Sequence, residues 1–289
     1  MPEISTKPTA IAHFNFAAEQ YEKFTGGCTR ELARFLLDLP QLQSLYDASS
    51  VVIDNACGTG VVTEEIITRC RQRKSKLPHI HGVDPASNMV KIATEMAERL
   101  GALEYFSGRI MPGEVLDFPD ATFSHNITNL GILFYTDPSS GAREIHRTLK
   151  PGGVAVVTTW STLGYLDLVI RPAQLSTRPN EQPYQLPIDP AWLLPEHLEK
   201  TMKENGGFDQ VEILNTTVHY GAASLDELGE LLLGSFRVIW KDWPESDQLT
   251  FKSKVASLVQ KAAVVYTMVD GCTGYGIPME AIVAVCNSC

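Results

Sequence analysis

The sequence predicts an α/β fold, a mostly parallel sheet with helices on both faces, and three observations carry that prediction. Between Val51 and Thr159, apolar runs of strand length alternate with amphipathic segments of helix length. The first run, Val51-Val52-Ile53-Asp54, is β-branched and leads through Asn55-Ala56-Cys57 into Gly58-Thr59-Gly60 and then a helix. Far downstream, after a helical stretch, a strand returns at Glu280 to Val285. Strands separated by helices need right-handed crossovers, which cover both faces of a parallel sheet and leave the ligand site at the strands' carboxyl ends.

The 289 residues suffice for one large domain or for a core with an attachment, and either buries a sizeable core. Lys+Arg 24 against Asp+Glu 34 gives a net charge of −10, which repels a phosphate backbone and argues against a nucleic-acid partner. The basic run Arg69 to Lys76 sits where the first core helix ends, and cations there complement the helix dipole. The cysteines at 28, 57, 70, 272, 286 and 289 are scattered, and no second pair or histidine completes a metal site around Cys286-Asn287-Ser288-Cys289. Reduced thiols, no metal, no signal-peptide core and no apolar run of membrane length predict a soluble, cytoplasmic protein with no membrane partner. The sequence is silent on oligomeric state.

In chain order, residues 1–12 are polar and loose, and Ala17 to Phe24 and Thr29 to Leu39 read as short helices, the second stopped by Pro40. Between them Thr25-Gly26-Gly27-Cys28 is a flexible joint, which suits a lid over a site and equally suits plain packing. After the glycine corner come helix 61–73, strand 80–84, helix 88–100 with Gly101 past its end, and a strand from Leu103 to Phe106. A fourth strand, Phe123 to Thr128, leads to Asp137-Pro138, an N-cap with proline at the first helical position, and a helix to about Leu149. Pro151-Gly152-Gly153 then turns the chain into the strand Val154 to Thr159. Residues 161–190 carry five prolines and read as a long irregular connection. A helix over 191–205 and a strand over 211–220 follow. Ser224-Leu225-Asp226-Glu227 is a capping box opening an amphipathic helix, and a second such helix covers 247–263.

Strand, glycine turn and helix together make a ligand-binding corner. Glycine there permits a tight backbone path and a ligand lying against the main chain, while the helix start presents unpaired N–H groups. The corner alone fits a structural turn as well. Two further stretches sharpen it: Val83-Asp84-Pro85-Ala86-Ser87-Asn88-Met89, whose acid lies 30 residues after Asp54, and Glu144 to Gly153 with its Lys150-Pro151-Gly152-Gly153 turn. With these, residues 51–160 resemble the class I S-adenosylmethionine-dependent methyltransferases, and among them the small-molecule type related to ubiquinone/menaquinone-biosynthesis methyltransferases. A nicotinamide-binding Rossmann domain is the competing reading; it calls for a small residue where Thr63 stands and an acid about 20 residues on.

The resemblance implies a Rossmann-like, seven-stranded sheet with an antiparallel last strand, the role Glu280 to Val285 would fill. The chain divides into three parts: an N-terminal helical lid (1–45), where the resemblance fades; the core (46–160) that it implies binds S-adenosylmethionine; and the remainder of the sheet (161–289) with a substrate-side helical insertion over about 221–279, where the resemblance is generic. Asp84 would accept both ribose hydroxyls, a task for an acceptor-only carboxylate; its alternative role is a helix N-cap. Ala56, Gly58 and Gly60 would pass under the methionine part of the cofactor, and Asp54 would orient that loop or receive the ammonium through water. Met89 would pack on the adenine, or belong simply to the core. Arg109 and Ile110 would touch the adenine edge, and Asn129 and Leu130 would lie beside the methionine. Three positions depart from the family pattern: Ala56 replaces its first glycine, Gly108-Arg109-Ile110 lacks an acid, and Ser124 stands where an aspartate is common.

The implied reaction is an in-line methyl transfer to a small, apolar or aromatic molecule. Bringing the reacting atoms to about 3–3.5 Å is worth roughly 7–11 kcal/mol, so a base is needed only for a protonated nucleophile. Candidates for that base are His13, Tyr21, His125 and His219, none of them in a motif. Aromatics over the strand ends, Trp160, Tyr165, Trp240 and Tyr266, are the candidates for substrate contact, each explained equally well by core packing. The departures leave two rival readings open, non-methyl chemistry such as cyclisation in the same pocket and a non-catalytic role through a partner.

Overall fold

The computed structural model describes residues 10–47 and 49–288, without the side chains of residues 10, 13, 16 and 17. Eight strands form one sheet: β1 (Val51–Asn55), β2 (His79–Asp84), β3 (Phe106–Ile110), β4 (Phe123–Thr128), β5 (Leu149–Thr162), β6 (Gln210–Ala222), β7 (Val264–Thr267) and β8 (Thr273–Asn287). Their order is β3-β2-β1-β4-β5-β8-β6, with β7 paired to β8. Strands β1 to β5 pair in parallel, whereas β8 runs antiparallel between β5 and β6. Residues 52–55 of β1 are all buried, which a strand achieves only when both faces of its sheet are covered. The order reverses at β1, between β2 and β4, and that switch point lies beside the glycine corner.

The helices are α1 (Ala10–Ala17), α2 (Tyr21–Phe24), α3 (Cys28–Asp38), α4 (Val61–Arg73), α5 (Ser87–Arg99), α6 (Pro138–Thr148), α7 (Arg171–Thr177), α8 (Pro195–Lys200), α9 (Leu225–Ser235), α10 (Arg237–Trp240) and α11 (Glu245–Ala262). Arg30 on α3 joins three elements: it reaches Glu22 on α2 at 2.5 Å and, on α4, Glu64 at 2.6 Å and Glu65 at 2.9 Å. Glu65 is nearly sealed and takes a second guanidinium, Arg34, at 2.9 Å. A buried carboxylate is tolerated only when paired in this way. The α2–α3 segment is therefore tied to the helix that follows the glycine corner. Helix α11 packs on both α7 and α9.

Several elements differ from the sequence expectation. The first helix begins at Ala10 and bends through a short 3-10 turn into α2, so residues 10–12 are helical. Residues 103–105 are a 3-10 turn, and the third strand starts at Phe106, where the chain first pairs with β2 at Ile80. Lys150 to Gly153 is a bulge inside β5, marked by a register shift between Phe123 and His125, and Gly152 bonds Ser288 there. Residues 165–177 are helical, a π-turn passing into α7 with Pro172 just past the junction. The unforeseen eighth strand, β7, has the β-branched residues a strand wants, but Val264 and Val265 are exposed and only pairing with β8 defines them.

Candidate functional site

A cavity of about 310 Å³ opens at the carboxyl ends of β1, β2 and β4, a size within the range of small-ligand sites. Its floor is the loop after β1. Ala56, Gly58 and Gly60 all take positive φ, at 58°, 53° and 88°. Ala56 thus holds the left-handed turn its family glycine would make, at the order of 1–3 kcal/mol of backbone strain. A Cβ on Gly58 would meet nothing within 4 Å, so the main chain there lies open to the cavity. Gly60 does not reach the cavity wall. It caps α4, and a Cβ there would lie 2.8 Å from Met96 and 3.0 Å from Ala93 on α5, so its smallness serves helix packing.

Two carboxylates flank this loop. Asp84, at the end of β2, accepts the Gly58 N–H at 3.0 Å on one oxygen and the Ala86 N–H at 2.8 Å on the other. Burial raises its pKa, against the pull of those two bonds. It orders both the glycine loop and the entry to α5, while Ala86 occupies the N-cap position itself. Asp54 is 1% exposed and takes both Thr63 bonds, 3.1 Å from the amide and 2.7 Å from the hydroxyl, on Oδ2. Desolvation pushes its pKa up to about 7 despite those bonds. Its Oδ1 has no partner among the described residues, and Asp54 borders the cavity.

The remaining wall brings together residues distant in sequence. Met89 is buried against Ala18 and Ala86, with Phe14 and Tyr21 packed beside it. Asn129 donates to the Thr29 carbonyl at 3.1 Å and accepts from Thr158 at 3.0 Å, while Leu130, at φ 59°, donates its amide to the same hydroxyl. Phe14 of α1 meets Phe134 at 5.1 Å and Tyr21 at 5.9 Å, both edge-on, so α1 lies across the cavity. Glu114 stands on the wall and accepts the Thr136 N–H at 2.7 Å.

Of the expected cofactor residues, Asp54, Ala56, Gly58, Asp84, Met89, Asn129 and Leu130 share this wall, and Tyr21 joins them. Arg109 and Ile110 do not. Because β3 starts at Phe106, they are strand residues; Arg109 stacks on Phe118 at 4.8 Å and Ile110 faces outward, while Pro112 and Glu114 take the wall. His125 is buried at the far side of the site, between Ser44 at 3.1 Å and Ser124 at 2.9 Å, and burial lowers its pKa to about 4. His219 is engaged by Glu31 at 3.0 Å and stacked on Tyr266 at 4.4 Å. The side chain of His13 lies outside the described residues. Trp160, Tyr165, Trp240 and Tyr266 are all off this wall; Trp240 donates to the Leu233 carbonyl at 3.2 Å. Sequence reasoning missed Phe14, Thr29, Glu114 and Phe134. Glu114 had a readable signal, an acid past the third strand, hidden by placing that strand three residues early.

Residues 53–157 match the model of the Methyltransferase domain family, and the sheet order and the acid-flanked glycine corner agree with it. In this stretch the chain is similar to the class I S-adenosylmethionine-dependent methyltransferases. Within that class, the chain is 37% identical over 111 residues to the ubiquinone/menaquinone biosynthesis C-methyltransferase UbiE of Geobacter sulfurreducens, covering 38% of this chain and 42% of that protein. It spans about half the length of such relatives or less. Methyltransferase tpcH of Aspergillus fumigatus is 23% identical over 261 residues, covering 87% of this chain and 89% of its own. Among solved structures, the [4+2]-cyclase SpnF superposes with a TM-score of 0.56 at 17% identity, covering 100% of this chain and 99% of that one, a likeness of fold.

Proposed function

We propose that this chain moves a methyl group from S-adenosylmethionine to a small apolar or aromatic molecule. The observation that carries the reading is Asp84: a buried carboxylate on the cavity wall, each oxygen holding one backbone N–H and keeping lone pairs for the two hydroxyls of a ribose. The open main chain at Gly58 lets a ligand lie against the loop. Asp54 Oδ1 is available to an ammonium group, Met89 and Phe14 offer apolar contact to a flat base, and Glu114 offers an acceptor beyond β3. When bound, the cofactor supplies an electrophilic methyl carbon on a sulfonium. The chain's own task is to bind, orient and exclude water, which α1 and its Phe14–Phe134 contact favour as a lid.

The three departures from the family pattern leave this reading intact. Ala56 keeps the required turn, Arg109 is off the wall, and Ser124 is structural, exchanging 3.0 Å bonds with both the amide and the carbonyl of Val51. No helix among the described residues is long and apolar enough to cross a membrane, and the five described cysteines are unpaired, which supports a cytoplasmic setting. The test is to incubate the purified protein with S-adenosylmethionine and a broad metabolite extract. Formation of S-adenosylhomocysteine with a product one methyl group heavier is expected. A product isomeric with its precursor, formed without cofactor consumption, would overturn methyl transfer in favour of cyclisation.

A further inference from the structure

Behind one side of the cavity wall lies a set of sealed polar atoms to which the reading above gives no task. Asn55, the last residue of β1, is 0% exposed, and neither its Oδ1 nor its Nδ2 has a hydrogen-bond partner among the described residues. The hydroxyl oxygen of Tyr135 is likewise sealed and without one. Burial, and then Glu114 and Asp84, raise that phenol well above its ordinary range, so it stays protonated and donates. Sealed amides and hydroxyls ordinarily find a partner, because an unpaired group has given up its hydrogen bonds to water without replacement.

Local packing brings these atoms to one point. Gly113, in the loop after β3, and Gly141, on α6, make room for the Tyr135 side chain: a Cβ on Gly141 would fall 2.4 Å from the ring, and one on Gly113 2.0 Å from the hydroxyl oxygen. Neither glycine has a positive φ, so it is the tyrosine that requires them. The same Gly113 position lies 2.6 Å from Asn55 Oδ1. Both oxygens therefore stand within 2.6 Å of one point, a spacing that one bridging water spans, since each of its bonds is about 2.8 Å long. Asn126 shares this face of the sheet, because it is in register with Ile53, two residues before Asn55, and its Nδ2 is also unpartnered. A hydroxyl, an amide oxygen and amide N–H groups are the kind of partners an internal water takes, two to four at a time.

These atoms back the Glu114 side of the cavity. Pro112, Glu114, Tyr135 and Thr136 all border it, and the Thr136 amide donates to Glu114 at 2.7 Å, which laces together the two loops that carry them. We propose that Asn55 and Tyr135 hold one water molecule sealed between β1 and the loop 111–115, and that this water fixes the Glu114 side of the cofactor wall. Asn55 and Tyr135 are thereby positioning residues, acting on the cofactor through the wall. The positioning role rests on the methyltransferase reading; the water does not.

The experiment records oxygen-17 relaxation dispersion of the solvent, which counts long-lived internal waters, on the full chain and on two variants. Tyr135→Phe keeps the ring and removes only the oxygen, and Asn55→Leu keeps the volume. Each is expected to hold at least one long-lived water fewer than wild type and to unfold at lower urea. The sign is diagnostic, since removing a polar atom that had no partner is neutral or stabilising. S-adenosylhomocysteine affinity, from calorimetry, should fall roughly three- to tenfold in either variant and no further in the double variant, because both remove one shared bridge. An unchanged water count, or a urea midpoint that is equal or higher in Tyr135→Phe, overturns the water. Affinity losses that multiply in the double variant, or no loss at all, overturn the positioning role. If wild type does not bind S-adenosylhomocysteine, the cofactor reading falls, and the water count and the urea midpoint still decide whether the water is there.

Discussion

Asp84 and Asp54 stand on either side of one loop, and their different surroundings set different tests. Asp84 is held by two backbone amides that depend on the loop and on α5, so removing its carboxylate deletes the proposed ribose acceptor and loosens both. Hydrogen bonds to a charged group are worth about 1.5–3 kcal/mol, so Asp84→Asn should weaken S-adenosylmethionine binding ten- to a hundredfold in calorimetry. Equal affinity would remove Asp84 from the site. Asp54 sits at about 7 because burial disfavours its charge. An ammonium group favours the ionised form, so binding expels the proton. Cofactor affinity should accordingly climb as pH rises toward about 7, by at most about tenfold per unit, and level off above it. Titrations in buffers of different ionisation enthalpy read the released proton directly, and Asp54→Asn should flatten the profile.

At the level of the element, the N-terminal helices are joined to the core by a few polar contacts. Asn15 on α1 accepts the Asn88 N–H at 2.9 Å, and Asn88 returns a bond to the Asn15 carbonyl at 3.0 Å. The N-cap residue of α5, Ala86, offers no side-chain bond, so Asn15 supplies from another helix what a local cap usually gives. If α1 is a lid, its closure and the capping of α5 are one event. Saturating cofactor should slow amide exchange over residues 10–24 and at Asn88 together. Asn15→Ala should abolish protection at Asn88 while the α5 interior stays protected. Slowing at Asn88 with no change over residues 10–24 would separate the two and end the lid assignment.

Over the whole molecule, pH acts through His125, far from the cavity, as well as through Asp54 beside it. His125 lies between Ser44 and Ser124, below the site, with its pKa lowered from 6.5 to about 4 by burial. The unfolded chain binds that proton more readily, so the contribution is complete above 6.5 and is lost as pH falls toward 4, roughly 3 kcal/mol in all. Asp54 acts in the opposite sense, because its raised pKa penalises the fold as pH climbs toward 7. The stability gap between wild type and His125→Gln, from urea unfolding, should therefore widen from pH 4 to 6.5; a constant gap would show that His125 does not titrate this way. The sequence by itself determined the strands β1, β2 and β4, the glycine corner and Asp84, because consecutive buried residues, a required positive φ and an acid at a strand end are all local signals. Only the tertiary structure decided where β3 begins, and with it the exchange of Arg109 and Ile110 for Glu114 on the wall. It also decided which aromatics face the cavity. Phe14 and Phe134 owe their places to a contact made across α1, and periodicity along the chain carries no record of which distant surface a ring will meet.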